Sequence, residues 1–236
     1  MADRSLDKLM AEPVADTVGR LQARIESRFP GRGLCDVAGQ LATLVDEVAT
    51  NAAVHQSRIR TARIVSRVLV AAIAAGTVLA LWLAVHSAVG DSGPDGLDWL
   101  PLIETTVNDL VFAAIAVFFL LSFPERLQRG DILEMLHRLR SLAHIIDMHQ
   151  LTKDPERLRT GFVPTPMSTS NDLDRDQMER YLDYCSELLS LVGKTAALCA
   201  EESRDAIVLD TVSTIETLTT GMSRKIWQKI TVLSRE

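Results

Sequence analysis

Residues 68–89 read VLVAAIAAGTVLALWLAVHSAV, twenty-two positions without a formal charge. As a helix rising about 1.5 Å per residue, such a run crosses a hydrocarbon layer about 30 Å thick. Few soluble folds accommodate it, so a transmembrane helix is expected here. A second apolar run, LVFAAIAVFFLLSF at residues 110–123, reaches that length only by extending back through Asp109, Asn108 and Glu104. The sequence therefore predicts a two-helix transmembrane hairpin with spans at about 68–89 and 102–123.

The flanks give the orientation. Arg58, Arg60, Arg63 and Arg67 precede the first span, and Arg126, Arg129, Arg138 and Arg140 follow the second. The connection GDSGPDGLDWLP carries Asp91, Asp95 and Asp98 and no basic residue. Arginine and lysine collect on the cytoplasmic side of short loops, so both termini are expected in the cytoplasm and the chain in the cytoplasmic (inner) membrane. More than sixty polar, patterned residues before the first apolar run argue against a cleavable leader. A net charge of -6 argues against nucleic acid as a partner. Cys35, Cys185 and Cys199 have no CxxC spacing and fall on the expected cytoplasmic side, where reduced, buried thiols are the expectation.

The rest of the chain reads as helix, and the predicted fold class is all-α. Its organisation is residues 1–64 as cytoplasmic helices, 65–124 as the hairpin, and 125–236 as a cytoplasmic helical domain with a linker at 151–171. Val14, Val18, Leu21 and Ile25 recur at helical spacing before the breaker Phe29-Pro30-Gly31. One long helix is expected over about 36–88, with Leu41, Leu44, Val45, Val48 and Ala52 on one face. Pro124 predicts a kink or break. Ile132, Leu136, Leu139, Ala143 and Ile146 then alternate by four and three, a coiled-coil-like seam. The segment LTKDPERLRTGFVPTPMSTSN reads as loop, with Ser170 or Asn171 expected to cap the next helix, which runs to about Ala200. A last helix from about Asp205 carries Ile207, Val208, Val212, Ile215, Leu218, Met222, Ile226, Trp227 and Ile230, with an interruption expected at Gly221.

Two features of the hairpin bear on function. Ala72, Gly76, Ala80 and Ala84 recur every four residues, a spacing that lets two helix backbones approach closely in lipid. The stripe packs either on the protein's own second span or on another subunit of a homo-oligomer. Glu104, Asn108 and Asp109 open the second span. A carboxylate at that depth is expensive unless it faces water, a bundle interior or a hydrogen-bond partner. One reading is an acidic ring attracting cations in an oligomeric pore; the other is a structural bond from Asp109 to the His86 end of the first span.

His137, His144 and His149 cluster with Asp147, but not at a zinc spacing, and packing is the expected role rather than metal. No catalytic fingerprint is present. Val192-Gly193-Lys194-Thr195 contains GKT without the preceding glycine and strand of a phosphate loop, so neither enzyme activity nor a cofactor is expected.

The acidic loop, Trp99, Pro101 and the acid opening the second span resemble the pore architecture of mitochondrial calcium uniporters. That family has tryptophan followed directly by aspartate and then, three residues on, glutamate and proline. Here the order is Asp98-Trp99-Leu100-Pro101 with Glu104 later, so the selectivity residues do not transfer. HRLRSLAHIIDMHQLTKDPERL (137–158), RYLDYCSELLSLVGKTAAL (180–198) and IETLTTGMSRKIWQKI (215–230) together resemble a family of bacterial two-span membrane proteins, a resemblance that implies no particular activity. The functional expectation is a non-enzymatic oligomeric scaffold or signalling module in membrane lipid, whose cytoplasmic helices bind a protein partner. The alternative is an oligomeric cation channel using the acids of the second span.

Overall fold

Phe29-Pro30-Gly31 turns the chain between its first two helices, with Gly31 at φ +68 where a side chain would be strained. The computed structural model describes residues 8–90, 99–158, 161–163, 165–168, 173–201 and 203–234, and the regular elements among them are helical. They are α1 (Ala11–Arg28), α2 (Gly33–Gly90), α3 (Trp99–Leu151), a 3-10 turn (Pro155–Leu158), α4 (Arg175–Ala200) and α5 (Ala206–Ser234). The all-α expectation holds. Two local expectations do not, and of the kink or break expected at Pro124 the break is absent.

The helix α3 runs through Pro124 without a break, and α5 runs through Gly221. At Gly221 an added side chain would meet open space; a single exposed glycine costs a helix about 1 kcal/mol, which the packing on either side outweighs. The cap of α4 is Asp174. Its carboxylate accepts from Gln177 N at 2.8 Å while the Gln177 side chain accepts from Asp174 N at 3.2 Å, a reciprocal capping box. Asp174 has glutamine three positions on to complete that exchange; Ser170 and Asn171 lie outside the described residues.

The chain divides into two compact units, Met1–Ala52 with Arg129–Glu236, and Ala53–Gln128. In the first, five helical segments enclose one core. The helix α4 supplies its centre: Met178, Leu182, Cys185, Leu188, Leu189 and Val192 are all fully buried. Around it stand the α1 stripe Val14, Val18, Leu21 and Ile25, the α3 seam Leu136, Leu139, Ala143 and Ile146, and Val208, Ile215 and Ile226 of α5. Each large aliphatic chain so buried contributes about 1.5–3 kcal/mol. Phe29 packs edge-on against Tyr181 and Tyr184, with ring centroids 5.4 and 6.1 Å away, and anchors the α1–α2 corner to α4. Arg138 of α3 pairs with Glu47 of α2 at 2.5 Å, and Arg24 of α1 with Glu187 of α4. The Lys229 ammonium of α5 donates to the carbonyls of Gln150 and Lys153 at 2.8 and 3.0 Å, satisfying acceptors where α3 ends. The expected linker thus begins as an ordered 3-10 turn, with Pro155 buried.

The second unit is two helical segments, and most of its described exposed side chains are apolar. Val68, Val78, Leu110, Phe112, Phe118 and Phe119 each expose about 60% or more of their surface. One helical stretch, Ile64–Leu83, is long and apolar enough to cross a membrane, at 20 residues or about 30 Å. It includes Ile64, Val65 and the exposed Arg67, whose charged head can be carried outward on a flexible stem. The second apolar stretch among the described residues is Thr106–Ser122, inside the expected 102–123; the side chains of Thr105 and Phe123 lie outside the described set. Its 17 residues make about 26 Å.

Candidate functional site

Ser66 is the exception on the apolar hairpin. It is 6% exposed, and its hydroxyl donates to the Leu120 carbonyl at 2.6 Å. The sequence explains why that carbonyl is available. Residue 124 would ordinarily donate its N–H to Leu120, and proline has none. In a medium without water the orphaned carbonyl would cost several kcal/mol, and a serine on the neighbouring helix is one of the few groups that can satisfy it. Ser66 therefore closes the gap that Pro124 opens and ties the two helices of the hairpin together. Below it, Val70, Ile73 and Thr77 on α2 are half-buried, as are Thr106, Ala113, Ala116, Val117 and Leu120 on α3. These line a narrow seam.

The acidic group lies off that seam. Glu104, Asn108 and Asp109 are all exposed, and among the described residues no hydrogen bond or ion pair engages Asp109. Ala113 and Ala116, one and two helical turns beyond Asp109, turn toward α2 while Asp109 does not. His86 is exposed too, and its ring stacks on Trp82 one turn earlier, with centroids 5.2 Å apart and planes 4° from parallel. The structure does not bring Asp109 and His86 together.

Ala72, Gly76 and Ala80 are likewise exposed, and a Cβ added to Gly76 would meet nothing within 4 Å. The stripe consequently does not pack on α3 among the described residues. The side chain of Ala84 lies outside the described set.

In the first unit His137 and His144 are exposed, whereas His149 is half-buried between helices. Its Nδ1 lies 3.3 Å from the Tyr181 hydroxyl, and its ring sits 2.8 Å from where a Gly33 side chain would begin. Burial and the nearby Lys153 ammonium push the His149 pKa below the ordinary 6.5, with Asp36 pulling the other way. Asp147 instead accepts from the Gln150 amide at 2.8 Å. Among the described residues no three metal-competent side chains converge. Lys194 and Thr195 of the GKT sequence lie inside α4, far from any helix N-terminus. The thiols of Cys185 and Cys199 are both pushed up to about 12 by burial, and the three cysteines are free.

No protein-family model, curated protein or solved structure matches the chain.

The arrangement can therefore be judged only by its own chemistry. Sequence reasoning missed Ser66, although its signal was present: a proline at the end of one apolar run frees a carbonyl, and the sole hydroxyl at the start of the other can reach it.

Proposed function

We propose that this chain is a non-enzymatic protein of the cytoplasmic membrane, a scaffold or signalling module whose helical bundle binds a cytoplasmic protein partner. In this reading the apolar unit lies in lipid as two spans, joined at one end by the Ser66–Leu120 bond, with both termini inside. Copies of the chain associate through the open Ala72-Gly76-Ala80 face, since close backbone packing is a principal attraction available to helices in lipid. The observation that carries it is the apolar surface of the hairpin, exposed on both helices at once, which water would penalise at about 25 cal/mol per Å2. The arginine asymmetry of the flanks supports the orientation. The family of bacterial two-span proteins that the helical C-terminal region resembles fits the same picture.

One observation favours a second reading. Asp109 is exposed within the apolar stretch Thr106–Ser122, and a carboxylate at that position seeks water, a cation or a partner subunit. An oligomeric cation path lined by Asp109 and Glu104 would supply all three. Reconstitution of the full chain into vesicles separates the two. The scaffold reading expects cation flux no greater than in empty vesicles. Flux through the wild-type protein that Asp109→Asn abolishes, with the oligomer intact, would transfer the function to the channel.

A further inference from the structure

Between α4 and α5 runs a groove of about 390 Å3. Hydroxyls dominate it: Ser186 and Ser190 from α4, Thr219, Thr220 and Ser223 from α5. They recur at helical spacing, so each helix presents its hydroxyl edge to the same side. Gly193 lets the helices close at the base, where an added Cβ would meet the Thr219 hydroxyl at 3.2 Å. At one place the lining is aromatic. Trp227 borders the groove with 55% of its surface exposed, an indole that the core does not use.

The hydroxyls are not all occupied. Thr219 donates to the Glu216 carbonyl, and Ser190 accepts from Lys194 at 2.7 Å. Ser186 is 9% exposed and has no hydrogen-bond partner among the described residues, although it lines the groove. Its oxygen is open to the groove and free to bond a ligand there. Lys194 and Glu216 add one charge of each sign, so the groove favours neither anion nor cation. Hydroxyls and a single carboxylate make a poor metal site. Apolar ligands would strand the hydroxyls.

We infer that the α4–α5 groove binds a neutral polyhydroxylated ligand of the sugar class, one face of a pyranose ring lying on Trp227 and its hydroxyls exchanging hydrogen bonds with Ser186, Ser190 and Ser223. Aliphatic C–H groups on a sugar face cover the indole, while rim hydroxyls both donate and accept, as the serines and threonines do. The site belongs to the bundle and does not depend on what the hairpin does.

Full-length protein in lipid nanodiscs, free of alkyl-glycoside detergents that would occupy the groove, is titrated with glucose, N-acetylglucosamine and maltose by ligand-observed saturation-transfer NMR. At least one probe should bind saturably at millimolar concentration or tighter. Trp227→Ala, a change at an exposed position, should weaken it at least tenfold, and Ser186→Ala by several-fold. No saturable binding by any of the three overturns the inference. So does binding that survives Trp227→Ala unchanged, or binding of inorganic phosphate in place of the sugars.

Discussion

Ser66→Ala is the most informative single change in the hairpin. It removes one oxygen from a residue 6% exposed and leaves the Leu120 carbonyl with neither Ser66 nor the N–H that Pro124 lacks. Hydrogen bonds between membrane helices average about 0.6 kcal/mol and reach about 1.7, and stranding a buried acceptor costs about 1–3 kcal/mol. The acceptor here is doubly orphaned, so a loss of about 1–2 kcal/mol is expected. The control is Pro124→Ala, which returns an N–H to position 124 and a helical partner to Leu120. In that background Ser66→Ala should cost less than about 0.5 kcal/mol, giving a coupling between residues 66 and 124 of about 1 kcal/mol. The assay is equilibrium unfolding of the hairpin in mixed micelles of rising denaturing-detergent fraction, read by a donor–acceptor pair across the two helices. Equal costs in both backgrounds would refute the argument, because Ser66 would then stabilise something other than the carbonyl that proline frees.

Other expectations rest on single features. Asp174→Ala dissolves the capping box of α4 and should lower bundle stability by about 1 kcal/mol, seen in thermal melting. Leu188→Ala, in the fully buried centre of α4, should cost about 2–5 kcal/mol in the same assay. The depressed pKa of His149 means that the unfolded chain takes up a proton more readily than the fold below the ordinary 6.5; stability contributed by the neutral ring is present above that pH and lost as pH falls through it. Melting temperature should thus decline on acidification through this window, and His149→Gln should flatten the decline. A Cβ added at Gly76 meets nothing within 4 Å; for Gly76→Leu, a shift of the detergent-solubilised protein to smaller species would place the open stripe between copies, while an unchanged size would place it against lipid.

Much of the bundle was legible because its signals are local and repeated. The stripe Val14, Val18, Leu21, Ile25 and the seam Leu136, Leu139, Ala143, Ile146 announce their buried faces by spacing alone, and each is buried. Punctuation by single residues was less legible. Pro124 and Gly221 are unfavourable in an isolated helix, yet a hydrogen bond from another helix compensates the first and flanking packing the second. Relations between distant residues were the hardest to see. Asp109 and His86 pair plausibly on paper, but the rotation of α3 about its seam, set by Ala113, Val117 and Leu120, turns Asp109 outward, and Trp82 takes the imidazole face.

The central claim is that the apolar hairpin crosses the membrane twice and leaves the bundle inside. Single cysteines at Ser92 and at Ser170, introduced after replacing Cys35, Cys185 and Cys199 by alanine, test it with a membrane-impermeant thiol reagent on intact cells. The account predicts labelling at Ser92 in intact cells and at Ser170 only after the membrane is permeabilised. Labelling at Ser170 in intact cells, or equal protection of both positions until permeabilisation, would contradict it.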